Sequence, residues 1–160
     1  MFSTSNPRPS LAAVLQRLTL TLWVGGLWVM GWVTVPLLFA SLDRTTAGMM
    51  AGKGFAALAW LGLGCGLLWL VMGRLRPTLP AAQHRQSRRV VWGMLACTLV
   101  NHFGVTPVIA WLKAQAAQGQ LDSMVWGGGF GMWHGISSSI FLLQSLLALG
   151  WVVSESRQRT

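Results

Sequence analysis

The chain has 160 residues, of which 9% are charged and 53% hydrophobic, with ten Trp and no Tyr. An ordinary soluble domain carries about 25% charged residues, so this balance excludes a disordered chain and argues against a soluble enzyme. Twelve Lys+Arg against three Asp+Glu leave a formal charge of +9, but the basic residues stand between long uncharged stretches and form no continuous patch. Nucleic acid is therefore not an expected partner.

In chain order the uncharged stretches are Leu18–Leu42, Gly54–Gly73, Val90–Leu112 and Ser123–Ser154. A helix crosses the hydrocarbon core of a bilayer with about 20 apolar residues. The first three stretches reach that length directly. The fourth reaches it from Phe130, after the Gly127-Gly128-Gly129 run, which is expected to end the preceding loop. None alternates with period two, so a β-barrel is excluded and helices are the remaining way to satisfy the backbone in lipid. Leu18–Leu42 is too long for a signal peptide, whose apolar region runs about 7–15 residues, and Leu42-Asp43-Arg44 reads as a helix end. The expected fold class is all-α: one integral membrane four-helix bundle over residues 1–160 with antiparallel up-down connectivity. Its spans are expected at about 18–42, 54–73, 90–112 and 130–153, between flexible tails 1–16 and 154–160.

Lys and Arg at span ends give the orientation. Arg8, Arg17, Arg74, Arg76, Arg85, Arg88, Arg89, Arg157 and Arg159 make nine on one side, against Arg44, Lys53 and Lys113 on the other. Both termini and the middle loop are thus expected in the cytoplasm of a bacterial cell, with the chain in its inner membrane. Arg85, Arg88 and Arg89 would meet the anionic cytoplasmic leaflet, each contributing about 1 kcal/mol. Trp69, Trp92 and Trp151 fall near inner span ends and Trp111, Trp126 and Trp133 near outer ones, as an aromatic belt requires. Trp23, Trp28, Trp32 and Trp60 read mostly as packing residues.

The first and third spans share a local signature, Val33-Thr34-Val35-Pro36 and Val105-Thr106-Pro107. Each proline is expected to free a carbonyl one turn earlier and kink its helix, and the likeness raises a parallel repeat of a helix pair. Gly62 and Gly66 (with Gly64 between them), Gly48 and Gly52, and Gly131 and Gly135 are small-residue pairs, expected to serve packing within the bundle. Cys65 and Cys97 lack a Cys-x-x-Cys partner and read as small buried apolar residues.

No Asp, Glu, Lys or Arg falls inside the spans, so neutral polar residues carry the functional signal. Thr98, Asn101 and His102 lie on the third span. His134, Ser137, Ser138, Phe141, Gln144 and Ser145 follow one face of the fourth, expected to point inward. By the rise per residue, His102 lies about 15 Å and His134 about 6 Å below the outer boundary. Two neutral imidazoles are able to ligate a haem iron or copper, and Met30, Met94 and Met132 offer thioethers suited to Cu(I). The plainer reading is that each His bonds a Ser, an Asn or a carbonyl on a neighbouring helix, that the Met residues fill gaps and that the Ser residues join helices. His84, among loop arginines, reads as solvated. Asp43, Asp122 and Glu155 are the only carboxylates, all in loops or tails, so no pair is placed for general acid–base work.

Trp23-Val24-Gly25-Gly26-Leu27-Trp28 through Thr34-Val35-Pro36-Leu37-Leu38-Phe39, the loop residues Asp43-Arg44 and Ala47-Gly48, and Phe130-Gly131-Met132-Trp133-His134-Gly135-Ile136-Ser137 resemble the bacterial domain-of-unknown-function 4149 group. The resemblance covers roughly residues 15–150, and the group is related to transmembrane protein 205 and more distantly to copper-resistance protein D. It implies a four-helix protein of the bacterial inner membrane and implies no reaction. Three functions follow as expectations. The leading one is a non-enzymatic binding, assembly or transport role, with a homo-oligomer or another membrane protein as partner. The second is a haem or copper site at His102 and His134. The third is an oligomeric small-solute transporter.

Overall fold

The computed structural model describes residues 10–75, 81–119 and 123–156, with side chains described for 10–75, 85–119 and 128–154. Arg8, Arg76, Arg157, Arg159 and the side chains of His84, Trp126 and Glu155 lie outside the described residues. Four helices are long and apolar enough to cross a membrane, and no strand occurs among the described residues. The first span comprises α1 (Leu11–Trp28), a π-helical segment (Val29–Thr34) and α2 (Val35–Ser41), and the second is α3 (Arg44–Leu75). The third comprises α4 (Ala81–Leu99), a second π-helical segment (Val100–Val105) and α5 (Thr106–Ala117), and the fourth is α6 (Ser123–Ser156).

These helices outrun the uncharged stretches. Residues 11–16 of the expected first tail are helical, begun by Ser10, whose hydroxyl accepts the Ala13 N–H at 3.3 Å. Gly127-Gly128-Gly129 is helical too, not the end of a loop. A glycine costs about 1 kcal/mol in a helix, yet an unsatisfied peptide group in lipid costs several. Backbone satisfaction therefore overrides propensity there. Only Leu42 and Asp43 separate the first two spans, and the Asp43 carboxylate accepts the N–H groups of Thr45 and Thr46, both at 3.0 Å. The backbone hydrogen bond from Thr46 leads in holding its carboxyl below the usual carboxylate range. Past α5, Gly119 takes φ of 67°, a left-handed stop that suits glycine.

The prolines act through the π segments. Pro36 and Pro107 each stand two residues past one, and the segments turn the backbone bonding to five-residue steps, Val35 N–H to the Met30 carbonyl and Thr106 N–H to the Asn101 carbonyl. The Thr106 hydroxyl donates to the same Asn101 carbonyl at 2.9 Å. Widening the turn before a proline relieves the clash of its ring with the preceding turn. One constant shift in numbering carries Val29–Thr34 onto Val100–Val105 and Pro36 onto Pro107. It also carries buried Gln16, Trp23, Val24 and Leu27 onto buried Ser87, Met94, Leu95 and Thr98. The two spans thus share a register as well as a motif.

The core sits in the half of the bundle that holds the start of α1 and the end of α6. Trp23, Val24, Cys65, Trp69, Val91, Met94, Leu95, Ala148 and Trp151 form one buried cluster with a residue from every span. Trp69 and Trp151 meet edge to face, centroids 5.3 Å apart at 90°. Both were expected at the membrane interface, and at 3% and 1% exposure both belong to the core instead. Trp92 and Trp111, 51% and 56% exposed, lie on the surface of the bundle. Trp32 and Trp60, expected in packing, are exposed as well.

Gly62 and Gly66 explain how Trp23 reaches the centre. The Trp23 indole occupies the space that a Cβ on Gly62 would need, and at Gly66 it lies 2.9 Å from that position beside Leu95. Without water to drive helices together, such close approach supplies the dispersion contacts that hold them. Replacing Gly62 with Val should destabilise the bundle by about 1–3 kcal/mol through overpacking, measured by reversible unfolding in bicelles. Trp23→Phe should recover part of that loss, because it vacates the clash.

Candidate functional site

The polar residues of the third and fourth spans divide into a buried set and an uncovered set. In the buried set, Gln144 Nε2 donates to the Thr98 hydroxyl at 3.0 Å, and that hydroxyl donates to the Met94 carbonyl at 3.0 Å. Ser145 is buried beside Gln144. Asn101, half-buried one turn above Thr98, keeps a buried Oδ1. Asn101 Oδ1, Ser145 Oγ and Trp151 Nε1 find no hydrogen-bond partner among the described residues. Each is a place where a bridging water would satisfy an otherwise costly group. The Gln144–Thr98 bond ties α6 to α4 just above the tryptophan core.

The first half of α6 behaves differently. His134 and Ser138 are exposed, while Ser137 and Phe141 are half-buried. The expectation that this whole face points inward therefore holds at Gln144 and Ser145 and fails at His134 and Ser138. No described residue from 128 to 143 is buried. A Cβ added at Gly128, Gly131 or Gly135 would meet nothing within 4 Å. The Gly131 and Gly135 pair thus makes no packing contact within the bundle, unlike Gly62 and Gly66. The core gathers the four helices at Trp23, Trp69, Met94 and Trp151, whereas this half of α6 meets α5 along one side, with Leu112 against Gly129 and Lys113 over Phe130, and leaves its glycine face open.

Each candidate histidine has its own aromatic setting. His102, half-buried in the second π segment, meets Trp60 edge-on at 5.7 Å and Phe103 at 4.8 Å between centroids. His134 stacks on Phe130 at 5.6 Å with 12° between planes, and Lys113 Nζ lies 5.7 Å from the Phe130 ring centre. That column of cation, ring and imidazole forms where α5 meets α6, worth about 0.5–1 kcal/mol for an exposed cation–π contact. Among the described ring contacts, the two imidazoles share no aromatic neighbour. Among the described residues no group of three His, Cys, Asp or Glu is gathered as a metal ion would need. Lys113, Phe130 and Trp60 escaped the reading of the sequence. Only the four-residue spacing of Phe130 and His134 signalled one of these contacts.

Met30 and Met94, considered as soft ligands, serve packing here. The Met30 tip fills the space over Gly54, and Met94 is fully buried in the core. Phe141 lies over Gly31 and meets Phe55 edge to face at 5.6 Å, which closes the bundle one layer above Gln144.

Four apolar helices around an indole core, with neutral polar side chains between them, define a multi-pass membrane protein. A family model described as Domain of unknown function (DUF4149) matches residues 18–118, well over half of the chain, and the chain belongs to that family. The match ends after α5, short of the Phe130–Ser137 segment that carried part of the resemblance. No curated protein and no solved structure matches.

The Gln144–Thr98 bond is measurable. Gln144→Leu and Thr98→Val should be non-additive in a double-mutant cycle, with a coupling of about 0.6–1.7 kcal/mol, the range of hydrogen bonds between membrane helices. The readout is unfolding free energy in bicelles.

Proposed function

We propose that this chain is a non-enzymatic protein of the bacterial inner membrane, both termini in the cytoplasm, whose role is binding and assembly. The observation that supports this is the open glycine face on the outer half of the fourth span. Gly128, Gly131 and Gly135 leave open space along it, and His134 and Ser138 project from it. Small residues facing lipid gain nothing there, whereas against a second helix they allow backbones to touch. An imidazole within the hydrocarbon also gains from a partner that supplies a hydrogen bond.

The occupant we assign is the same face of a second copy. A two-fold contact pairs identical surfaces, so one small-residue patch serves both sides. The haem or copper reading needs both imidazoles on one ion. His102 is engaged by Trp60 and Phe103 and His134 by Phe130, so no observation favours it. A transport role would require a polar route, and the described polar seam is closed by Phe141 over Gly31.

Two measurements test the reading. Wild-type protein in mild detergent should run as a dimer by light scattering, and Gly131→Leu with Gly135→Leu should shift it to monomer. Gly64→Leu, at an exposed glycine on α3 with equally open surroundings, should leave the dimer intact. A wild-type monomer, or a dimer indifferent to both glycine changes, overturns the assembly reading. For orientation, a fluorescent reporter fused after Thr160 should be bright and an alkaline phosphatase fused there inactive. The reverse pattern overturns the cytoplasmic assignment.

A further inference from the structure

The inner end of the bundle carries charge without compensation. Arg17 on α1, Arg74 on α3 and Arg85, Arg88 and Arg89 on α4 form no ion pair among the described residues. Asp43 lies at the opposite end, and Glu155 is the only carboxylate that the sequence puts near them. Five guanidinium groups at one level need counter-charge from outside the chain.

The third span shows what shape that counter-charge takes. Arg85, Arg89, Trp92, Ala96 and Leu99 recur at alternating steps of four and three, so they lie on one helical stripe. All five are exposed, Trp92 at 51% and Leu99 at 45%. Arg88, half-buried, flanks the head of the stripe. Read from the inner end outward, the stripe offers two cations, then an indole, then a smooth apolar track. A phospholipid presents the same order: an anionic phosphate, a glycerol-ester zone and acyl chains. The lengths agree as well. Arg85 to Leu99 rises about 21 Å at 1.5 Å per residue, and one leaflet with its headgroup zone is about 20–22 Å deep. Indoles settle at the level of the ester groups, which is where Trp92 stands relative to the arginines.

We propose that this stripe is a docking site for one anionic phospholipid, its phosphate held by Arg85, Arg88 and Arg89 and its chains lying along Trp92, Ala96 and Leu99. Guanidinium groups suit the task because their fork of donors matches two phosphate oxygens at once. The site is independent of the dimer face on α6, so either can fail while the other stands.

The test uses the full chain in neutral detergent, with phosphatidylglycerol and phosphatidylcholine of matched chains as probes in native mass spectrometry. Wild-type protein should retain phosphatidylglycerol several-fold over phosphatidylcholine, and the preference should shrink as salt is raised. The R85Q/R88Q/R89Q variant should lose the preference, while R44Q/K53Q at the opposite end should keep it. Equal retention of the two lipids by wild-type protein, or a preference that survives in the triple variant, overturns the proposal. Inorganic phosphate reproducing the thermal stabilisation given by phosphatidylglycerol overturns it too, since the site would then read a free anion. Should the triple variant not fold, wild-type protein still decides the matter. Brominated phosphatidylglycerol should quench a fluorescence component absent in Trp92→Phe, and brominated phosphatidylcholine should quench it several-fold less. Equal quenching by both lipids counts against the site.

Discussion

Lipid offers a peptide group no hydrogen bond, and the rest of the structure answers to that constraint. It explains why the helices continue through sequence that would break them in water. Three consecutive glycines before Phe130 stay helical, because opening the turn would strand polar groups in hydrocarbon or its border. The same pressure acts at the prolines. Instead of leaving carbonyls open at Pro36 and Pro107, the chain widens one turn into π-helix ahead of each and re-forms its bonds at five-residue spacing. Polar side chains follow suit. Thr19, Thr98, Thr106 and Ser139 each donate back to a carbonyl of their own helix, so the hydroxyls carry little of the cost of residing in lipid.

With hydrogen bonding handled within each helix, close packing decides how the helices meet. Trp23 against Gly62 and Gly66 beside Leu95, and Trp69 against Trp151, draw all four spans together in the half that holds the start of α1 and the end of α6. The opposite half has no counterpart of this density. Phe141 over Gly31 and Met30 over Gly54 form a thinner layer, and beyond it no described α6 residue from 128 to 140 is buried. A bundle tight at one end and open at the other has a surface to offer at the open end. The charged end presents arginines unpaired by any described carboxylate, which suits the anionic headgroups we propose there.

Much of this was legible in the residues. Continuous apolar stretches of membrane length announced four helices, and the proline signature announced two special turns. The seam at Gln144 was legible because a lone amide in a span must face the interior. His134 and Ser138 were misplaced by the same logic. It takes for granted that each face of a span meets an interior at every depth, whereas beyond Phe141 buried positions such as Ala47, Ala51 and Leu112 belong to other spans. Trp69 and Trp151 were misplaced for a related reason. A tryptophan near a span end fits the interface and the core equally well, and the choice between them lay with the contact that each makes with the other across two helices.

The residue string by itself determined the solvent, the number of crossings and the all-helical class, because each depends on composition and run length along one segment. Only the tertiary structure decided which glycines are filled and which stand open, which tryptophans form the core, and that the two intramembrane imidazoles keep separate aromatic company. Those outcomes depend on side chains from different spans meeting at the same depth, and no single helix carries that information.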